Sequence, residues 1–200
     1  MNDLSINLPA TAAQRGKIAP KLFAHIVYKT ARFAEMIDWY STVLEAEPVL
    51  KNDFLCFMTY DEEHHRLAIA NQPHLKDKPA DAAGVEHVAY TYGSLQDLAA
   101  TFERLKTVGI NPFWCINHGF TLSMYYQDPD ANRVELQVDL FETTEAVNAW
   151  LEQSDFASNP LGVKFDPDEF VARVHSGEDM TEYLERPRIA PEEVVNQLPS

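Results

Sequence analysis

His25, His87 and Glu135 lie far apart in the chain but in similar settings, each within a run of alternating character. FAHIV surrounds His25 and VEHVA surrounds His87, 62 positions later. Alternation sends successive side chains to opposite faces of a strand. His25 therefore shares a side with Phe23 and Val27, and His87 with Val85 and Ala89. Glu135 stands in RVELQVDL with Arg133, Gln137 and Asp139, opposite Val134, Leu136, Val138 and Leu140. One histidine on an apolar strand is ordinarily a satisfied core residue. Two at equivalent places, with a carboxylate, would be costly to leave unpaired in a cavity. Two imidazoles and one carboxylate suit Fe(II) with open positions, where a bidentate substrate and dioxygen can bind together.

The elements that must position these residues occur twice. KLFAHIVYKT is strand-like, Thr30 is the expected N-cap, and Phe33, Met36, Ile37, Tyr40 and Leu44 follow at helical spacing. Strand-like runs at 54–60 and 65–70 follow Pro48. Then GVEHVAYTY reads as a strand, and Ser94 caps a helix with Leu95, Leu98, Phe102 and Leu105 on its apolar face, stopped by Gly109. NPFWCI, TLSMYYQ and RVELQVDL are extended, with the turn DPDAN between the last two.

The expected fold is α+β: two βαβββ modules, about 21–72 and 83–140, forming one curved, partly closed mixed sheet around a metal site. Residues 1–20 read as a flexible leader. Residues 141–200 read as a helical extension with helices at 143–153, from Asp166-Pro167 and in DMTEYLERP, then a tail with little core. Laying DANRVELQV over EEHHRLAIA puts Leu67 where the second module has Glu135, so the first module supplies one ligand and not two. Four protein ligands would suit Lewis-acid isomerisation with fewer free positions.

At 46% hydrophobic the chain can build a core, and 31 acidic against 16 basic residues give a net charge of −15. That balance repels phosphate backbones and anionic membranes, so no nucleic-acid or membrane partner is expected. Two cysteines, Cys56 and Cys115, exclude a disulfide framework and suit a reducing, cytoplasmic setting. No signal peptide is recognised at the N-terminus, and no segment has the length of a membrane span.

On these residues the chain resembles the vicinal oxygen chelate superfamily. His118, Met124, Tyr125, Asp128, Pro129 and Glu135 resemble the signature of type I extradiol ring-cleavage dioxygenases. His64-His65 followed by RLAIA resembles the HH-x-L-A run of biphenyl-2,3-diol dioxygenase-like enzymes, and NPLGVKFDP the tail of single-domain members. The resemblance implies His25, His87 and Glu135 as ligands of Fe(II), with Mn(II) as an alternative metal. It implies His65 as the catalytic acid–base residue, Tyr125 as a hydrogen-bond donor to the substrate oxygen, and His118 as a substrate contact. An aromatic diol and O2 are the implied substrates, with Phe23, Trp114 and Phe120 near the ring; a homodimer is the implied assembly.

Two departures stand out. Ala131 occupies a turn position where the family has Gly or Pro, so a different or strained turn is expected. The linker from His65 to His87 is also longer than in two-domain relatives of the resembled family. The competing readings are a metal-dependent thiol transferase or epimerase of the same superfamily, which needs neither the histidine pair nor Tyr125, and a non-catalytic ligand binder. A zinc hydrolase is the poorest, since no HExxH occurs.

Overall fold

Strand ladders and helix caps explain where the elements begin and end. The computed structural model describes residues 11–16, 19–154 and 156–199. Half of the expected leader, residues 1–10, together with 17 and 18, lies outside the described residues. Within it, Thr11 caps one turn, α1 (Ala12–Arg15), and exchanges hydrogen bonds with Gln14.

Module one runs β1 (Ile26–Thr30), α2 (Phe33–Leu44), β2 (Glu47–Lys51), β3 (Leu55–Thr59) and β4 (Leu67–Asn71). Module two repeats the order as β5 (His87–Thr91), α3 (Leu95–Thr107), β6 (Trp114–Asn117), β7 (Thr121–Gln127) and β8 (Arg133–Asp139). The α+β class and the pair of βαβββ modules are as expected. Hydrogen bonding, however, divides the strands into two sheets, ordered β1-β4-β3-β2 and β5-β8-β7-β6-β9, and not one continuous sheet. In each module the first strand lies parallel to the last, because the helix between carries the chain across.

Three local expectations are corrected. Thr30 is not the N-cap of α2. Arg32 holds that place, and the Thr30 hydroxyl accepts from the Arg32 amide at 2.7 Å. β2 was hidden by its own Pro48, tolerated because this is an edge strand. Pairing also shifts the overlay of the modules by one residue. Ile26 pairs with Leu67 and Val88 with Val134, so Ala68, not Leu67, holds the place of Glu135. The inference drawn from the overlay survives, since neither side chain can bind a metal.

The helices bury one stripe each, as amphipathic spacing requires. α2 buries Met36, Ile37, Tyr40, Val43 and Leu44, and α3 buries Leu98, Ala99, Phe102 and Leu105. Ser94 caps α3 by accepting from the Asp97 amide at 3.1 Å. The modules are tied across their seam. Tyr40 Oη donates to Asp128 Oδ2 at 3.0 Å, and Arg32 pairs with Asp130 at 2.7 Å.

The extension contains α4 (Thr144–Gln153), β9 (Val163–Lys164), α5 (Pro167–Ser176), α6 (Thr181–Leu184) and a 3-10 segment, Pro191–Gln197. Thr143 and Asp166 cap α4 and α5 through their side chains. β9 adds to β6 at the edge of the second sheet. The tail buries no residue, yet Trp114 Nε1 donates to the Gln197 carbonyl at 2.7 Å and holds it there. Among the described residues no helix is long and apolar enough to cross a membrane. Cys56 and Cys115 are both free and buried.

Candidate active site

The register of the second sheet assembles the chemistry. Ala89, Glu135, Tyr125 and Trp114 are directly opposite one another across β5, β8, β7 and β6. They therefore share one face in one row. Glu135 is only 4% exposed, so its charge needs a close cation or donor. His87 supplies one, with Nε2 at 2.9 Å from Glu135 Oε2. The other nitrogen of His87 faces the Glu86 carboxylate, which Arg133 also contacts. The His87 and Tyr125 rings meet edge to face at 5.3 Å.

Burial, reinforced by the neighbouring Glu135 charge, pushes the Tyr125 phenol well above the usual range, so it stays protonated. His118 lies 3.1 Å from the Tyr125 hydroxyl through Nε2, and its Nδ1–H donates to the Leu161 carbonyl at 2.5 Å. Burial depresses the His118 pKa, partly offset by Glu135, which favours the neutral ring. Trp114 lies 4.7 Å from Tyr125 and Phe120 stacks on His118 at 6.2 Å. Phe23, in contrast, is 69% exposed.

The other two histidines gather on module one. His25 does not occupy the centre of a strand. It precedes β1, in a segment whose carbonyls at Phe23 and Ala24 are held by Arg66. Its ring lies 4.4 Å from that of His65, which also stacks on Phe57 at 4.3 Å. Desolvation, and then the charges of His25 and His64, lower the His65 pKa, leaving a free base at neutral pH. His74 is exposed in the linker, and His175 pairs with Glu103 at 2.9 Å, away from both groups.

The donor chemistry at His87 and Glu135 fits a divalent cation. Two adjacent ligands on an octahedral ion, each about 2.1 Å away, lie about 3 Å from one another. That is the spacing found. Among the described residues, however, no three His, Cys, Asp or Glu side chains cluster closely enough to hold a metal. His25 is thus not gathered with the other two as a ready-made triad.

Asp128, an acidic position of the hairpin motif, is structural. It is buried and accepts from the Asp130 and Asn132 amides, from Asn132 Nδ2 and from Tyr40 Oη. Burial raises its pKa despite these donors. Ala131 has φ +61°, the left-handed conformation that the missing glycine would have adopted freely. The segment NPLGVKFDP carried a resemblance but no role at the site, because its contact with the His118 ring is made by the Leu161 backbone, which no side-chain type announces. A cavity of about 590 Å³ opens beside the turn at Gly119, lined by Leu140, Phe141, Trp150 and Leu184. None of the six candidate residues lines it.

Residues 22–136 match the family model for the Glyoxalase/Bleomycin resistance protein/Dioxygenase superfamily. The chain is 49% identical over 146 residues to biphenyl-2,3-diol 1,2-dioxygenase 2 of Rhodococcus globerulus, covering 72% of this chain and 77% of the relative. Biphenyl-2,3-diol 1,2-dioxygenase 3 of the same organism is 38% identical over 152 residues, covering 75% and 80%. The crystal structure of a glyoxalase/bleomycin resistance protein/dioxygenase from Nocardioides superposes with TM-score 0.51 at 15% identity, over 66% of this chain and 91% of that one, a likeness of fold. The chain belongs to the Glyoxalase/Bleomycin resistance protein/Dioxygenase superfamily.

Proposed function

We propose that this chain is an Fe(II)-dependent extradiol dioxygenase, which opens the ring of an aromatic diol and inserts both atoms of O2. The observation that carries the reading is the 49% identity to a relative named biphenyl-2,3-diol 1,2-dioxygenase 2. The family and these relatives imply a metal cofactor, an aromatic diol and O2. Fe(II) is the proposed metal and Mn(II) its alternative, with His25, His87 and Glu135 as the ligands. The 2.9 Å approach of His87 to the buried Glu135 supports two of the three. The equivalent places of His25 and His87 in the two modules support the third.

A bound ferrous ion supplies an open-shell centre where O2 and the diol meet, which lifts the spin restriction on their direct reaction. The chain's own residues do the rest. Glu135 contributes a negative charge that leaves a net positive site for a diolate. Tyr125 and His118, both neutral, bind and orient the diol oxygens, while Trp114 and Phe120 offer ring faces to an aromatic substrate. His65, a free base, accepts a diol proton and returns it later. A cytoplasmic homodimer completes the proposal; the free cysteines support the compartment, and the exposed β2 edge with Val49 and Leu50 supports the assembly.

The test is anaerobic loading with Fe(II) or Mn(II), then oxygen uptake and yellow-product absorbance with biphenyl-2,3-diol and a panel of catechols. Stoichiometric consumption of diol and O2 is expected. Iron-loaded protein that takes up no oxygen with any diol would remove the reading.

A further inference from the structure

The C-terminal extension reaches the imidazole of His118 through the Leu161 carbonyl oxygen, 2.5 Å from Nδ1. A carbonyl only accepts, so Nδ1 carries the hydrogen. In the neutral ring Nε2 is then an acceptor. Its neighbour at 3.1 Å is the Tyr125 hydroxyl, a donor that also has Glu135 as a hydrogen-bonding partner.

The carbonyl sits in a built frame. Asn159, 4% exposed, donates from Nδ2 to the Gly162 carbonyl and accepts from the Gly162 amide, both at 2.9 Å. Arg186 donates to the carbonyls of Asn159 at 2.8 Å and His118 at 3.3 Å. Gly162 has φ +109°, and a methyl group there would stand 2.3 Å from the Asn117 carbonyl oxygen. Only glycine lets this loop lie so close to the turn between β6 and β7. Asn117 Nδ2 ties the same turn to the Leu184 carbonyl at 2.9 Å.

We infer that the Asn159–Gly162 loop, held by Arg186, is a positioning element of the site: it locks His118 in the Nδ1–H tautomer and so turns the Tyr125 hydroxyl proton toward His118 and away from Glu135. One phenol proton cannot serve both neighbours. With it committed to His118, the Glu135 carboxylate keeps its lone pairs for a cation. The Tyr125 oxygen then presents a lone pair to a diol hydroxyl, and Tyr125 acts as acceptor where the signature alone suggested a donor. That consequence for substrate rests on the dioxygenase reading; the tautomer lock does not.

The experiment is nitrogen-15 histidine NMR on the full chain, with the His118 signals assigned by their loss in His118→Gln. The native protein should show the Nδ1–H tautomer. Gly162→Ala, which forces the loop off Asn117, should give a mixture of tautomers and raise KM for biphenyl-2,3-diol roughly tenfold, with kcat changed less. Arg186→Gln should do the same to a smaller degree, and serves if Gly162→Ala does not fold. An Nε2–H tautomer in the native chain would overturn the inference, as would a raised KM in a folded variant whose His118 spectrum is unchanged. Absence of oxygen uptake in the native protein counts against the dioxygenase reading, whereas the tautomer spectrum decides the lock by itself.

Discussion

The two modules repeat one strand order and one register, yet only the second holds a buried carboxylate. Its row reads Ala89, Glu135, Tyr125, Trp114. The same row in the first sheet reads Val27, Ala68, Phe57, Leu50. What differs beyond composition is cover. The β6 edge is paired with β9 and capped by the Gln197 carbonyl, and three of its four residues are buried. The matching edge strand, β2, is exposed along its whole length. Duplication supplies a scaffold with two equivalent faces, and the extension makes one of them dry enough for a buried charge and fixed tautomers to count.

The sharpest way to break this contrast is to remove the carboxylate. Glu135→Ala should lower metal affinity more than about 100-fold, and activity with it, read as metal content after gel filtration. Normal metal retention would mean that the second row is not a metal-binding row. His65→Ala addresses the first module. If that module contributes a proton carrier, the variant should keep its metal while turnover falls roughly 10²- to 10⁴-fold. Loss of metal in this variant would move His65 into the ligand set.

How far the sequence foretold this arrangement depends on what kind of interaction carries each part. Elements whose ends are fixed by a side chain were legible: Ser94, Thr143 and Asp166 each cap the helix that follows. Strands with alternating character were found within a few residues, but Pro48 concealed the edge strand β2. The overlay of modules slipped by one residue because LAIAN is apolar on both faces, and only the ladder fixes its register. In the site, Glu135, Tyr125 and His118 were legible as a spaced motif on one hairpin, and their mutual contacts follow from it. The grip of Leu161 on His118 was not, since a backbone carbonyl has no residue type. Asp128 was visible as a turn residue, but not as the acceptor that Tyr40 reaches from the other module.

A transplant tests whether the two rows are interchangeable. Ala68 is 1% exposed between Val27 and Phe57, so Ala68→Glu should bury an unpaired charge and cost about 3 kcal/mol by thermal or urea unfolding. Unchanged stability, with a second bound metal, would show that the first row is already a latent site. A smaller effect is expected at the seam. Tyr40→Phe removes one of four donors to the buried Asp128 and should cost about 1 kcal/mol, with metal content and KM unaltered. A change in KM would mean that the seam sets the geometry of the site as well as the stability of the fold.

The smallest expected effect concerns the turn that brings β7 back as β8. Asp128 organises it through the amides of Asp130 and Asn132, which leaves Ala131 at φ +61°. A β-carbon in this conformation crowds the adjacent carbonyl, at a cost of roughly 1 kcal/mol that glycine does not incur. Glycine also gains freedom in the unfolded chain, which opposes part of that relief. Ala131→Gly should therefore stabilise the protein by about 0.5–1 kcal/mol, with turnover unchanged, because the hairpin register is already fixed by seven cross-strand pairs from Thr121–Asp139 to Gln127–Arg133. Module one has no such left-handed alanine before β4, so the change separates strain at this turn from a general response to glycine: a glycine at the exposed Glu62, in the corresponding turn, should be neutral or destabilising. Equal gains at both positions would show that the φ of Ala131 carries no strain.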